Sequence, residues 1–317
     1  MKTNYKIMNF IKNLMKSNDK KYYRPAISLN YNDVLLALNN GMLFSVNRSN
    51  PSGGHIITHL PYNDINHILQ VILVDHGEVL YALLDNGSIL YSYHFEYSIK
   101  KPPKNKKFIQ ISATGGLCIG IIDDGTAELW SPKGEDLLKY FKHDIPNTDK
   151  LIQCCILDDT FTYLSENGNI SIRDIINSNN YDLKINNVIQ ISLSYNKIVG
   201  LLENGDIFIC FYGKWGEEHI KKYGTHQIIK QAPIDKQFIQ ATTYCDAIYG
   251  LLNDGTVILW YEYTETIIKL NKKIKQIADT CNKHELVGLF DDATAFWYHT
   301  EQQLLKPITI PLQFVLN

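Results

Sequence analysis

The chain of 317 residues has no excess of charge of either sign, no paired-cysteine motif and no long apolar run. Its 31 basic and 33 acidic residues leave a net charge of -2, so no overall field attracts nucleic acid or an anionic membrane. The 6 cysteines form no CxxC pair and mostly lie in apolar runs, which is typical of reduced core thiols. Residues 1–21 lack the features of a secretory signal. We therefore expect an intracellular, cytoplasmic protein, with the nucleus or delivery into a host cell left open.

Motifs for covalent catalysis are also missing. No nucleophile elbow, phosphate-binding loop or dinucleotide-binding glycine pattern occurs. Adjacent acids occur at Asp123-Asp124, Asp158-Asp159 and Asp291-Asp292. Two of these pairs lie on repeated turns, where Asp serves local hydrogen bonding, so we expect a structural role. We predict no catalytic residue and no cofactor.

Two histidines have a spacing that could hold a metal on a helix. His55 and His59 form a HxxxH pattern, but Gly53, Gly54 and Pro61 disfavour the helix that such a site would need. We therefore interpret them as ordinary surface histidines and predict no metal site.

Seven copies of one short pattern run along the chain. Each copy has an apolar run, two polar residues, a small residue and a second strand-like run. The small residues are, in order, Gly41, Gly87, Gly125, Gly168, Gly205, Gly255 and Ala293. The steps between them are 46, 38, 43, 37, 50 and 38 residues, and such a period is typical of β-propellers. Asn-Gly and Asp-Gly at these places predict hairpins with type I′ turns.

A second shared element lies upstream of six of these turns, an apolar strand-like run that contains a glutamine. The glutamines are Gln70, Gln110, Gln153, Gln190, Gln240 and Gln276. The first repeat has Ala26 at this place, and the chain ends in PLQFVLN, which restarts the pattern at Gln313. Because a ring must join its ends, we expect residues 307–316 to pair with the blade begun by the N-terminal region.

The combined pattern resembles the repeat of the regulator-of-chromosome-condensation family over residues 22–316. Its fullest copies are FIQISATGGLCIGIIDDGTAELW at 108–130 and FIQATTYCDAIYGLLNDGTVILW at 238–260, with Trp130 and Trp260 at the family's aromatic position. The glycine and histidine that usually follow the family's first strand are mostly missing. The resemblance implies an all-β fold, a seven-bladed β-propeller of four-stranded antiparallel blades over residues 22–317.

The resemblance also implies a function. The founding member of the family is a nucleotide exchange factor for the small GTPase Ran, and relatives include proteins that engage small GTPases and plain scaffolds. The chain is therefore expected to be a protein-interaction propeller that engages a small Ras-superfamily GTPase of the Ran or Rab kind, with guanine nucleotide exchange as the associated activity. The alternative is a non-enzymatic scaffold or structural subunit of a larger assembly.

The connector that follows Gly205 is the best candidate for partner contact. It runs 35 residues to Gln240, longer than any other, and contains FYGKWGEEHIKKYGTHQ. Long ordered loops tend to be functional, and a Trp among charges is typical of binding hot spots. The alternative is a surface loop whose Trp packs on the blade edge. The candidate protein-interaction residues are Lys214, Trp215, Glu217, Glu218 and His219.

Residues 1–21 form a basic amphipathic segment outside the repeats, which we expect to be helical or irregular. Apolar side chains recur at helical spacing from Tyr5 to Met15, with lysines around them. Such a segment could dock to a partner, serve as an address, pack on the ring or make weak membrane contact. We expect no direct nucleic-acid binding and a monomer when the protein is free.

Overall fold

The structure is a computed structural model of the chain. It describes residues 27–29, 33–37, 43–47, 55–58, 68–74, 79–93, 96–114, 116–132, 149–158, 160–174, 179–213, 216–218, 221, 227–261, 264–278, 285–292 and 294–308. The segment of residues 1–21 lies outside these ranges. Within them, no helix has the length and apolar character needed to cross a membrane.

Antiparallel strands in the described residues form seven sheets that follow one another along the chain. The first sheet contains β1 (Ile27–Leu29), β2 (Asp33–Ala37), β3 (Leu43–Asn47) and β4 (His55–Thr58). The second contains β5 (Ile68–Val74), β6 (Val79–Leu84), β7 (Ile89–Tyr93) and β8 (Glu96–Lys100). The third contains β9 (Phe108–Thr114), β10 (Leu117–Ile122) and β11 (Ala127–Trp130).

The other four sheets repeat the same order of strands. The fourth contains β12 (Leu151–Leu157), β13 (Thr160–Ser165), β14 (Asn169–Asp174) and β15 (Asn179–Lys184). The fifth contains β16 (Val188–Ser194), β17 (Lys197–Leu202), β18 (Ile207–Phe211) and β19 (Gln227–Lys230). The sixth contains β20 (Phe238–Tyr244), β21 (Ala247–Leu252), β22 (Val257–Tyr261) and β23 (Thr264–Ile268). The seventh contains β24 (Ile274–Ile277), β25 (Glu285–Phe290), β26 (Ala295–His299) and β27 (Leu304–Ile308).

The fold is an all-β propeller, but the prediction of seven four-stranded blades is wrong. The described residues form six four-stranded blades, and the third sheet has three strands. The sequence pattern marks only the three inner strands of each repeat. The outer strands are largely exposed, as in β23 and β27, so they carry no apolar signature from which they could be counted.

The core lies between neighbouring sheets. The second strands of several sheets are buried along their whole length, as in β6, β10, β21 and β25, because a sheet packs on each of their two faces. One buried cluster joins Val79, Tyr81 and Leu83 of the second sheet to Phe108 and Trp130 of the third. The described cysteines are free, and burial raises the pKa of Cys118 and Cys154, as expected for core thiols.

The repeated turns differ in type from the prediction. Only the glycine has a positive φ, for example 82° at Gly87 and 89° at Gly255. Gly87 N donates to Leu84 O at 2.9 Å, and Leu84 N donates to Ser88 O at 2.9 Å. This is the three-residue loop of a type I turn followed by a left-handed residue, so the type I′ prediction is wrong. The side chain of the residue before the glycine also caps the turn: Asn86 Oδ1 accepts from Ser88 N at 2.8 Å.

The shared glutamines connect neighbouring sheets through their first strands. Gln110 Nε2 donates to Cys154 O at 3.0 Å, and Gln110 Oε1 accepts from Cys154 N at 2.9 Å. Gln70 binds Ile111 in the same two-point manner, at 2.9 and 3.0 Å. Each of these side chains therefore forms hydrogen bonds with the N–H and C=O groups of one residue on the first strand of the next sheet. The first strands consequently lie side by side around the axis of the ring.

The two sides of the ring differ in their connections. Strand direction alternates within a sheet, so the turn between first and second strands and the connector between third and fourth strands share one side, the connector face. The repeated glycine turns lie on the other side, the repeat-turn face. Pro307 and Ile308 pair with Phe296 and Ala295 of their own sheet. The remainder of the predicted closing strand, 309–316, lies outside the described residues.

Candidate functional site

The long connector begins on the connector face of the fifth sheet, where it is held against the sheet's own inner turn. Tyr212 N donates to Asn196 O at 3.2 Å, and its hydroxyl donates to Ser194 O at 2.7 Å. Gly213, Gly216–Glu218 and Lys221 are helical, and Gly216 N donates to Tyr212 O at 3.1 Å. The predicted contact segment is therefore anchored next to the turn at 194–197.

The predicted interaction residues are described in part. Glu217 and Glu218 are exposed on the helical stretch of the connector. Lys214, Trp215 and His219 lie outside the described residues. The five remain a prediction, and the structure adds the side of the ring on which their segment lies.

Tyr195 is the most exposed aromatic side chain among the described residues, at 57%. It forms the inner turn of the fifth sheet, between Ser194 and Asn196. Partial burial raises the pKa of its phenol, and the negative charge of Asp158 on the fourth sheet acts in the same direction. Asp158 is itself exposed and has a positive φ of 47°. An aromatic ring thus stands in solvent beside a carboxylate.

Lys197 follows this turn, and its side chain connects the turn to the sixth sheet. Its side chain is only 3% exposed, and its ammonium donates to Cys245 O and, at 3.2 Å, to Asn196 Oδ1. Asp246 Oδ1 lies 4.0 Å away, and Ser194 Oγ donates to the same Cys245 O at 3.2 Å. Burial lowers the pKa of Lys197 because the charged form is desolvated. The inner turns of the fifth and sixth sheets are therefore held rigidly together.

Tyr195 and Lys197 are not among the residues predicted from the sequence. The inner turns carry no repeated residues, so no periodicity points to them. The signal in the sequence is the stretch ISLSYNKIVGLL at 191–202, which lacks the glycine and histidine that usually follow the family's first strand. A lysine at the head of an apolar strand is an unusual choice, since buried ammonium groups need partners.

The adjacent acids have the structural role that was predicted for the repeated turns. Lys272 Nζ lies 2.6 Å from Asp292 Oδ2, while Asp292 Oδ1 accepts from Thr294 N at 3.0 Å. Asp124 makes the equivalent contacts with Lys106 and Thr126. These carboxylates pair with a lysine and accept hydrogen bonds within their own turns.

The described residues contain no group of three or more His, Cys, Asp or Glu side chains that could hold a metal. His55 begins a β-strand rather than lying on a helix, so the HxxxH spacing does not place its side chain one helical turn from His59. His59 lies outside the described residues.

The ion-paired carboxylates of the repeated turns should make the stability of the fold depend on pH in the acid range. A hydrogen bond from Lys236, assisted by Thr256, lowers the pKa of Asp254 from 3.8 to about 2. The ionised Asp254 therefore stabilises the fold fully at a pH above its unfolded pKa of 3.8, and this stabilisation is lost as the pH falls through about 2. Lys236→Ala should return the pKa of Asp254 towards 3.8 in a carboxyl NMR titration. An Asp254 pKa that does not move would contradict the assigned ion pair. Stability at neutral pH should fall by less than about 1 kcal/mol because the pair is exposed.

No protein-family model and no curated protein sequence matches the chain. Solved structures do match it. Prp20p from Saccharomyces cerevisiae, studied with its binding to Gsp1p and histones, is 11% identical, with a TM-score of 0.61 over 81% of this chain and 80% of that one.

Two further structures show the breadth of the similarity. Yeast RCC1 (Prp20) bound to Kap60 is 12% identical, with a TM-score of 0.59 over 90% of this chain and 82% of that one. The WD40 ectodomain of the Arabidopsis thaliana receptor kinase ACR4 is 11% identical, with a TM-score of 0.60 over 91% of this chain and 98% of that one. At these identities the comparisons show the fold: the chain is a β-propeller similar to RCC1 and also to propellers of other kinds.

Proposed function

We propose that the protein engages a small Ras-superfamily GTPase of the Ran or Rab kind through its connector face. The observation that carries the proposal is the convergence of the longest connector and the exposed Tyr195 on one side of a propeller similar to Prp20p, which binds Gsp1p. Guanine nucleotide exchange is the activity we propose to accompany this binding.

The chemistry of the face suits a protein partner. A Tyr at the centre of a contact area offers a large rigid surface at low entropic cost, and Tyr is enriched in hot spots. Tyr195 belongs to a turn that hydrogen bonds from Lys197 and Tyr212 hold in place, so little further ordering is needed on binding. Glu217, Glu218 and Asp246 supply exposed carboxylates nearby, which favours a partner surface with basic side chains.

The second candidate function is a scaffold that binds a protein without changing any nucleotide state. An exposed Tyr195 beside a long connector is equally compatible with it. Release of fluorescent GDP from a panel of Ran and Rab proteins separates the two. Exchange predicts faster release with at least one member, whereas a scaffold leaves every release rate unchanged.

Tyr195→Ala should weaken partner binding by about tenfold or more, as expected for a central aromatic anchor. The measurement is the dissociation constant of the full chain for the GTPase that it binds. The matched control is Ile267→Ala, which removes a side chain that is 66% exposed on the outer strand β23. Equal affinities of the two variants would remove Tyr195 from the interface.

A further inference from the structure

The outer strand of the sixth sheet, β23, is an exposed edge rich in β-branched residues. Residues 264–267 are all exposed, and the side chain of Ile267 is 66% exposed. Lysine and proline on an edge strand discourage pairing with another chain, and β23 contains neither. Four of the other outer strands do contain a lysine, and these are Lys100, Lys184, Lys230 and Lys306. The edge of the sixth sheet is therefore the one least protected against strand pairing among these five.

The ladder inside the sixth sheet determines which peptide groups of β23 point outward. The repeated turn before β22 closes with a hydrogen bond from Leu252 N to Thr256 O at 2.8 Å. Along an antiparallel ladder, residues that exchange hydrogen bonds with their partner alternate with residues that do not. Counted from this bond and through the register of β22 with β23, Thr266 exchanges its hydrogen bonds with β22. The N–H and C=O groups of Glu265 and Ile267 consequently point away from the sheet.

One face of this edge carries two opposite charges around an aliphatic side chain. Glu265 and Ile267 lie on the same face of β23, and Lys269 follows the strand at the same spacing. Trp260 Nε1 donates to Glu265 Oε2 at 2.8 Å, which holds this carboxylate in place. Glu265 and Lys269 are both exposed, and neither has an ion pair within the part of the chain that the structure describes. Both charges are thus available to a second strand.

We propose that two copies of the chain pair β23 with β23, antiparallel, about a two-fold axis at Ile267. This register places Ile267 opposite its own copy, and it places each Glu265 opposite Lys269 of the second copy. The outward peptide groups then bond across the axis. An axis moved by one residue in either direction would place Ile267 opposite Glu265 or Lys269 instead. An axis at Glu265 would place two carboxylates opposite each other, so the charges select the axis at Ile267.

The pairing is small, and we expect it to be weak. It joins one strand of five residues from each copy, which is typical of small transient interfaces. At low concentration the protein remains the monomer that is expected from the sequence. The paired edge lies on the outer rim of the ring and leaves the connector face open, so the inference does not depend on the proposed GTPase.

Sedimentation velocity of the full chain from about 5 to 500 µM tests the pairing. The weight-average mass of the wild type should rise with concentration towards that of two chains. Ile267→Lys should weaken self-association about tenfold or more, because like charges then lie directly opposite each other. The matched control is Ile229→Lys, which changes a side chain that is 49% exposed on the outer strand β19 and should associate as the wild type does. A wild type that stays monomeric, or equal behaviour of the two variants, would overturn the proposal.

A charge exchange tests the register. Glu265→Lys and Lys269→Glu should each abolish self-association, because each change makes like charges meet across the axis. An equimolar mixture of the two variants should associate again, since every lysine then lies opposite a glutamate. Lys269→Glu alone keeps the test valid if Glu265→Lys fails to fold, because Lys269 has no ion pair to lose within the described residues. Self-association retained by Lys269→Glu, or a mixture of two folded variants that stays monomeric, would overturn the proposed pairing.

Discussion

Replacing Gly200 by alanine is expected to lower the free energy of unfolding by about 2 to 3 kcal/mol. A Cβ atom at this position would lie 1.9 Å from Cε1 of Phe208, whose ring is fully buried against the second strand. The ring has no free volume into which it could move, because interiors are close-packed. The smaller entropy of the unfolded alanine chain offsets only about 0.4 to 1 kcal/mol of this cost.

Denaturant unfolding of Gly200→Ala, Phe208→Leu and the double variant measures this clash. The double variant should be more stable than the sum of the single changes predicts, with a coupling of about 1 kcal/mol or more, since the smaller side chain admits the new methyl group. Additive effects, or a Gly200→Ala protein as stable as the wild type, would show that the close approach is not what requires glycine. Gly288 meets Phe296 of a third strand in the same way, whereas Gly250 and Gly120 meet Phe238 and Phe108 of first strands.

Replacing Gln153 by alanine is expected to cost about 2 to 3 kcal/mol of unfolding free energy. Gln153 Nε2 donates to Ile191 O at 2.8 Å, and its Oε1 accepts from Ile191 N at 2.8 Å. Ile191 is buried, so removal of the side chain leaves both of its peptide groups without these partners. An unsatisfied buried peptide group costs more than the net value of the hydrogen bond itself.

The effect of Gln153→Ala should appear both in the midpoint of unfolding and as faster hydrogen exchange at the Ile191 amide. Gln302→Ala is the control, because Gln302 is exposed in the turn between β26 and β27. If both variants had the same midpoint of unfolding, Gln153 would not be what connects the neighbouring sheets.

Much of the fold could be predicted because the residues that build it repeat. Each repeated turn needs a residue with a positive φ, such as Gly87. Each first strand needs a side chain that can bind both groups of a peptide on the next sheet, such as Gln110. The turn type was missed because Asn-Gly serves both hairpin classes, and only the loop length separates them. The outer strands could not be counted, since they face solvent and need no fixed residue.

The candidate site was predictable only where it departs from the repeat in length. The connector after Gly205 is detectable as an insertion. The side of the ring on which it lies depends on the number of strands that precede it in its sheet. Tyr195 and Lys197 belong to an inner turn whose residues differ from sheet to sheet. Their importance follows from contacts across sheets, such as Lys197 with Cys245, which the linear sequence does not contain.

The two faces of the ring have different chemistry. Repeated turns with paired acids and lysines occupy one face, where the chain also enters. The other face has inner turns and connectors of unequal length, with Tyr195 at the fifth sheet. Because propellers vary in their loops, the face that departs most from the repeat is where a specific partner is expected.

The most direct test is hydrogen exchange of the full chain with and without a saturating small GTPase of the Ran or Rab kind. We expect slower exchange at residues 194–197, 212–221 and 245–246, with no change at the repeated turns 123–126 and 253–256. Unchanged exchange at the connector face with every GTPase of the panel would contradict it.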